Sequence, residues 1–303
     1  MALPAADSVP TRARSERLPR GLGGRAAKLT PVSLWYLVFF IVPLAWLLRV
    51  GFAVVDNFQL RYVWSGSAYG SLVHDHLTWQ LLQRSLLLAL VVTVLSLLIG
   101  FPAAWLLARQ PLSRRNLLLV LLIVPWWSSY IVRVFAWRMA FGEKGIINQF
   151  LSWTGAASHP LGLFSFGWFG VVITEVNLYL PLMIVPLYMT LERLDVDVIR
   201  AASSLGASPF RTFTRVVLPL AAPGIATGVV FVFMPITGEF VVPSLVGAPG
   251  NFLYGNQIQS QFSTDYNWPL GSALAIVLLM CLALILVSLR FVTGRATRNL
   301  REV

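Results

Sequence analysis

Six apolar runs divide the chain, and each is long enough to cross a lipid bilayer as a helix. A membrane helix needs about 20 mostly apolar residues, because each residue adds about 1.5 Å and the hydrocarbon layer is roughly 30 Å thick. The runs cover residues 33–55, 85–108, 116–137, 167–191, 217–246 and 270–292. Ser85–Ala108 and Leu270–Leu289 contain no charged residue. The pattern predicts an all-α membrane protein with six transmembrane helices.

Prolines interrupt several of these predicted spans. They are Pro43, Pro102, Pro125, Pro181, Pro186, Pro223 and Pro235. Neighbouring helices in a membrane can satisfy the carbonyls that a proline frees, so we expect kinks rather than breaks. The kinks either shape the bundle locally or act as hinges in a moving bundle.

Composition and charge support the membrane interpretation. The 303-residue chain is 57% hydrophobic and 12% charged, whereas about 25% of residues are charged in an average soluble domain. A net charge of +11 suggests nucleic-acid binding in a soluble protein, but here arginines gather at the ends of apolar runs. We therefore expect a lipid bilayer around the chain and no nucleic-acid partner.

The positions of lysine and arginine also predict the orientation. Most of the 23 fall in the first 30 residues, after the second span, in the loop 192–216 and after the sixth span. Positively charged loops remain in the cytoplasm, so both termini are expected there. Arg49 and Arg133, inside apolar runs, are expected near the outer interface, where their side chains reach the headgroups.

The chain then divides into three regions. Residues 1–30 are rich in Arg, Ala and Gly, with little to bury, and are expected to form a disordered basic cytoplasmic tail. Residues 31–295 form the six-helix transmembrane domain, with a cytoplasmic loop at 192–216. Residues 296–303 are expected to form a cytoplasmic C-terminal tail.

The loop at 192–216 is polar and basic, although it lies between two apolar spans. The segment VDVIRAASSL is expected to form a short helix with Val196 and Ile199 on one face, ended by Gly206. Ser208 and Pro209 then form an N-cap and first-turn pair for a second helix that leads into span five. Such a helix–turn–helix element either docks a partner protein or simply connects the spans.

This loop resembles the loop shared by membrane subunits of bacterial ABC importers. Their pattern is E-A-A, three residues, G, nine residues, I, one residue, L-P. Ala201, Ala202 and Gly206 match it, and Val216 and Leu218–Pro219 complete it. The chain departs from the pattern at Arg200, where the family usually has glutamate. The resemblance implies ATPase-coupling residues, which are Asp197, Arg200, Ala201, Ala202, Gly206 and Pro209.

The resemblance extends over residues 34–292. The stretches NLLLVLLIVPWWSSYIVRVFAW and FGEKGIINQFL are similar to the spermidine/putrescine permease subgroup. It implies a type I ABC importer permease fold in the bacterial inner membrane. It also implies a cytoplasmic ABC ATPase dimer, a second homologous permease subunit and a periplasmic solute-binding protein as partners. The chain has no G-x-x-x-x-G-K-[ST] phosphate loop, so we expect a transport subunit that is not an enzyme and takes no cofactor.

Two carboxylates in apolar surroundings are candidates for the substrate path. Glu175 lies about 12 Å deep in span four, where a charge is costly and is expected to face the bundle interior. Its partner is either a cation in the path or a neighbouring group, Arg133 or Asn177. Glu239 is expected at the outer end of span five. With Trp127, Tyr130 and Tyr179, these carboxylates suit a polyamine through ion pairs and cation–π contacts.

Other functions remain open on the sequence. The solute is either a polyamine, ferric iron or another small organic compound, because related importers share parts of these stretches. A stand-alone secondary transporter and a membrane scaffold are further alternatives. His74 and His76 form an H-x-H pair without a third ligand nearby, so no metal site is expected.

Overall fold

The computed structural model describes residues 31, 33–57 and 59–299, with side chains as far as residue 290. The predicted tail 1–30 lies outside this part. The first helix, α1, covers Ser33–Gly51 and contains a π-helical stretch at Leu37–Ile41. It ends four residues before the predicted limit of 55.

A short hairpin follows α1 and is an exception to the all-α prediction. Strands β1 (Val54–Asp56) and β2 (Gln59–Arg61) pair in antiparallel fashion. Arg49 lies beside the next segment, where its guanidinium donates to the carbonyl of Tyr62 at 3.1 Å and lies 4.6 Å from the Trp64 ring. Aromatic rings and a carbonyl thus surround this cation, as an interfacial position requires.

The second span is longer than predicted. After α2 (Ser67–His74), helix α3 runs unbroken from His76 to Ala108 and passes through Pro102. Asp75 caps it, because one carboxylate oxygen accepts from the N–H of Leu77 at 3.0 Å and the other from the Thr78 hydroxyl at 2.5 Å. The cap starts the helix nine residues before the predicted Ser85.

The third span is broken, which contradicts the prediction of a kinked but continuous helix. It consists of α4 (Leu112–Ile123), a 3₁₀ turn (Pro125–Trp127) and α5 (Tyr130–Ala140). The two halves meet at 90°. Pro125 has no N–H to continue α4, and the Ser128 hydroxyl donates to its carbonyl at 2.7 Å, while Ser128 and Ser129 adopt extended backbone.

The second half of the chain supplies the remaining spans. Helix α6 (Ile146–Trp153) lies in the outer loop before α7 (Trp168–Leu191). On the inner side α8 (Val196–Ser204) precedes α9 (Pro209–Thr237). The last three helices are α10 (Val241–Val246), α11 (Tyr254–Ser263) and α12 (Trp268–Asn299).

The observed limits of α9 and α12 differ from the predicted ones. The predicted span 217–246 is α9 plus α10, with a break at residues 238–240, and α9 begins eight residues early. Helix α12 continues through residues 296–299, which were assigned to a tail. Within the described residues, five helices are each long and apolar enough to cross a membrane, and the number is six if the bent pair α4–α5 counts as one span.

The hydrophobic core lies among α3, α7 and α9. Its fully buried side chains include Val92 on α3, Met183 on α7 and Val232 on α9. Gly224 and Gly228 form a G-x-x-x-G pair on α9, and a Cβ at Gly228 would lie 2.6 Å from the Met183 sulfur. These glycines let the α9 backbone approach α7 closely, as small residues do in membrane helix pairs.

Candidate functional site

The cytoplasmic loop consists of two helices joined by a glycine turn, as predicted. At the end of α8, the N–H of Gly206 donates to the carbonyl of Ser203 at 3.0 Å, and that of Ala207 to Ala202 at 3.1 Å. These are the two hydrogen bonds of a Schellman motif. Gly206 has a φ of 81°, which glycine adopts without steric cost.

Side-chain caps fix the starts of both helices. Asp195 accepts a hydrogen bond from the N–H of Asp197 at 2.9 Å and begins α8. Ser208 accepts from the N–H of Arg211 at 3.3 Å and begins α9, with Pro209 as its first residue. Since α9 continues from Pro209 to Thr237, the second loop helix and span five form a single helix.

The turn presents apolar side chains to the surroundings. Leu205 is 89% exposed and Phe210 is 77% exposed. Of the predicted apolar face, Ile199 packs against the bundle core, whereas Val196 is exposed. Two large apolar groups at the tip of a capped, rigid turn make a small surface suited to a complementary groove.

The six predicted coupling residues all lie on this loop. Arg200 forms an ion pair with Asp197 one turn earlier, at 3.2 Å, and both side chains are largely exposed. Asp197 is the acidic residue one turn before Arg200, which stands at the glutamate position of the E-A-A pattern. In the structure Arg200 pairs with that carboxylate at 3.2 Å, so Asp197 is not a free acid.

The second group of predicted residues lies in the bundle interior. Glu175, on α7, is fully buried, and neither carboxylate oxygen has a hydrogen-bond partner among the described residues. Thr174 beside it is also fully buried with an unpartnered hydroxyl. A buried carboxylate without a donor is costly, so this group is suited to a cation that arrives from elsewhere.

Glu239 lies at the break between α9 and α10 and holds the two helices in place. Its Oε1 accepts from the N–H groups of Phe240 at 3.0 Å and Val241 at 2.7 Å. The carboxylate therefore caps the start of α10. Asn256 supports the same corner, because its Nδ2 donates to the carbonyl of Phe240 at 2.9 Å and to the Ser244 hydroxyl at 2.7 Å.

The structure brings together four of the five residues predicted for the substrate path. The Tyr179 hydroxyl donates to Glu239 Oε2 at 3.4 Å. Glu175 and Glu239 lie close enough to interact electrostatically, and the Tyr130 hydroxyl interacts electrostatically with both carboxylates but forms no hydrogen bond within the described residues. The resulting carboxylate cluster (Tyr130, Glu175, Tyr179 and Glu239) joins α5, α7 and the α9–α10 corner.

Trp127 does not belong to this cluster. It ends the 3₁₀ turn and is 79% exposed. Neither group named as a local partner of Glu175 pairs with it within the described residues. Asn177 accepts from Trp137 Nε1 at 3.1 Å, and Arg133 forms no ion pair within the described residues.

Sequence reasoning missed one contributor to the site, Asn256, and named another, Arg133, only as an alternative partner of Glu175. Arg133 lies near enough to interact electrostatically with Tyr179 and thus places a positive charge beside the cluster. Asn256 fixes the α9–α10 corner from a helix far along the chain. Both contacts depend on tertiary packing; for Asn256 the only local indication is its position in a polar segment between apolar runs.

Comparison with known proteins identifies the family. Residues 96–300 match the model of the binding-protein-dependent transport system inner membrane component. The chain belongs to this family. Its apolar helices and this membership make it a multi-pass protein of the inner membrane and a permease subunit of an ABC importer.

Curated relatives cover nearly the whole permease. It is 36% identical to the spermidine/putrescine transport system permease protein PotB of Escherichia coli K12 over 269 residues, which is 88% of this chain and 96% of that protein. The PotB protein of Haemophilus influenzae is also 36% identical, over 88% of this chain and 92% of the relative.

A solved structure confirms the type I importer permease fold. A chain of a bacterial ABC transporter involved in the import of the acidic polysaccharide alginate superposes with a TM-score of 0.66. The match covers 90% of this permease and 96% of that chain, at 19% identity. At this identity the likeness establishes the fold and no more.

Proposed function

We propose that this permease subunit carries a polyamine such as spermidine or putrescine across the inner membrane by alternating access. The carboxylate cluster is the observation that carries the proposal. A buried carboxylate without a donor, beside a second carboxylate and two tyrosine hydroxyls, favours a cationic solute. The PotB relatives, which are named for spermidine/putrescine transport, support the same substrate class.

The chemistry of a polyamine fits the cluster. Each ammonium donates hydrogen bonds to carboxylates and to tyrosine oxygens, and the rings attract cations over their faces. The Glu175 carboxylate receives no hydrogen bond from the described residues and is therefore available to an ammonium group. Glu239 and Tyr179 are joined by a hydrogen bond.

The energy for transport comes from a separate protein. The chain has no G-x-x-x-x-G-K-[ST] motif, so this subunit binds no ATP in that way. The cytoplasmic loop 192–216 is the docking element for an ABC ATPase dimer, with Leu205 and Phe210 as its exposed tip. A second homologous permease completes the bundle, and a periplasmic solute-binding protein delivers the polyamine.

Uptake by cells tests the substrate class. The permease would be expressed with its neighbouring importer genes in bacteria that lack their own polyamine importers, and uptake of radiolabelled spermidine and putrescine measured. ATP-dependent accumulation that unlabelled polyamine abolishes is the expected result. Accumulation of ferric iron or an anionic solute instead would refute the polyamine proposal, and uptake driven by an ion gradient without ATP would favour a secondary transporter.

A further inference from the structure

An ion pair joins the inner end of α4 to Glu192, the first residue of the cytoplasmic loop. Arg115 Nη1 lies 2.7 Å from Glu192 Oε1, with the side chains 21% and 36% exposed. It is the shortest and least exposed of the ion pairs within the described residues. The N–H of Glu192 donates to the carbonyl of Tyr188 at 2.8 Å and continues the hydrogen bonding of α7.

Both charges lie at the helix ends that disfavour them. Arg115 is in the first turn of α4, where the helix dipole is positive, and Glu192 caps the C-terminus of α7, where it is negative. Neither charge interacts favourably with the dipole of its own helix. The attraction between Arg115 and Glu192 is therefore what stabilises the two charges at these helix ends.

The pair is also an important attachment of α4. None of the twelve residues of α4 is buried, so its inner end has little packing of its own. Glu192, by contrast, lies in the four-residue link between the end of α7 and the start of α8 at Val196. A groove of about 620 Å³ beside this link, lined by Asp195 and Val198 among others, leaves the loop space to shift.

Helix α4 is shaped to pass such a shift to the carboxylate cluster. Hydrogen bonds continue from α4 into the 3₁₀ turn, from the Val124 N–H to Val120 and from the Trp127 N–H to Val124. The regular structure stops at the extended pair Ser128–Ser129. Tyr130, a member of the carboxylate cluster, is the next residue.

We propose that the Arg115–Glu192 ion pair is a positioning clamp that transmits displacement of the cytoplasmic loop through α4 to the carboxylate cluster. Helix α4 moves as a rigid lever about Ser128–Ser129, and Tyr130 changes its place relative to Glu175 and Glu239. A rigid element hinged at a few residues is a common device for such switching. This proposal rests on the ATPase-coupling role proposed for the loop.

The test compares uptake with ATP hydrolysis in proteoliposomes that contain the complete importer. Variants are Arg115→Ala, Glu192→Ala and the charge exchange Arg115→Glu/Glu192→Arg, with Asp56→Ala in the outer Arg61–Asp56 pair as control. Each alanine variant is expected to lower spermidine moved per ATP on the order of tenfold. The exchange should restore the ratio, because it rebuilds the pair and places each charge at the favourable helix end.

An unchanged ratio of uptake to hydrolysis in the alanine variants would overturn the clamp, as would an exchange variant that stays uncoupled although fully assembled. If alanine prevents assembly, Glu192→Asp retains the charge and shortens the side chain. A normal ratio in that variant also overturns the proposal, and a lowered ratio supports it. Loss of ATP-driven uptake in the unmodified importer would instead refute the proposed function.

Discussion

Glu175 and Glu239 share one buried cluster but differ in what stabilises their carboxylates. Glu239 Oε1 accepts two backbone N–H groups at 3.0 and 2.7 Å and its Oε2 accepts from Tyr179 at 3.4 Å, whereas Glu175 has no donor within the described residues. Glu239 is therefore tied to the shape of the corner, and Glu175 is available to a solute. The two side chains are expected to respond differently to substitution.

Replacing Glu175 with glutamine removes the available charge with almost no change in shape. Since a hydrogen bond to a charged group contributes about 1.5–3 kcal/mol, we expect polyamine uptake at low concentration to fall roughly 10- to 100-fold. Assembly should persist, because no protein group depends on this carboxylate. Initial rates of spermidine uptake check this, with exposed Glu143→Gln as the matched control, and normal uptake by the variant would remove Glu175 from the path.

Two substitutions of Glu239 distinguish the role of its negative charge from its role in capping α10. Glutamine retains an oxygen that accepts the N–H groups of Phe240 and Val241, so Glu239→Gln should assemble normally and still transport less polyamine. Alanine removes the cap as well, at a cost of about 1–2 kcal/mol, and should lower the melting temperature of the purified complex. Thermal unfolding of the two variants checks the difference, and equal melting temperatures would show that the cap contributes nothing.

Substitution of Gly206 in the loop is predicted to disrupt the turn because of its backbone conformation, not because of steric crowding. A Cβ at Gly206 would meet no atom within 4 Å, so the space is open, but its φ of 81° costs most other residues about 1–2 kcal/mol. Gly206→Val should abolish ATP-driven uptake while the subunit still reaches the membrane. Gly206→Asn, which tolerates this conformation, should retain most of the activity, and full activity of the valine variant would refute the coupling role.

Arg200→Glu introduces the glutamate of the E-A-A pattern that the loop resembles. The lost ion pair with Asp197 is exposed and contributes less than about 1 kcal/mol, so α8 should remain folded. We expect the ATPase to copurify at normal yield, with Asp197→Asn as a control that also breaks the pair. Failure of the ATPase to copurify with Arg200→Glu alone would show that this importer docks its ATPase through a different arrangement of charges.

Much of the fold was accessible from the sequence, because the length of an apolar run determines whether it spans a bilayer. The break at Pro125 was not, since Pro102 lies in a similar run and its helix stays continuous. Ser128 and Ser129, which follow the 3₁₀ turn, leave the helical conformation, whereas α3 continues through Pro102. The glycine pair Gly224 and Gly228 was a usable signal for the contact of α9 with α7 that the sequence analysis overlooked.

The carboxylate cluster shows where sequence reasoning stops. The depth of Glu175 in an apolar span was enough to predict an interior position. Its proximity to Glu239 and Tyr130 depends on how three helices pack, and the spacing along the chain contains no such information. Trp127 was predicted to line the substrate path but is exposed. It lies in the 3₁₀ turn at the bend between α4 and α5, which the sequence did not reveal.

The most direct test of the account is uptake of radiolabelled spermidine by proteoliposomes that contain this permease, its sister permease, the ATPase and the solute-binding protein. Accumulation should require ATP inside the liposomes and should fall at least tenfold with Glu175→Gln, a change of about 1.4 kcal/mol or more. Liposomes that contain this chain alone should accumulate nothing. Accumulation by the chain alone, or full ATP-driven accumulation with Glu175→Gln, would contradict the account.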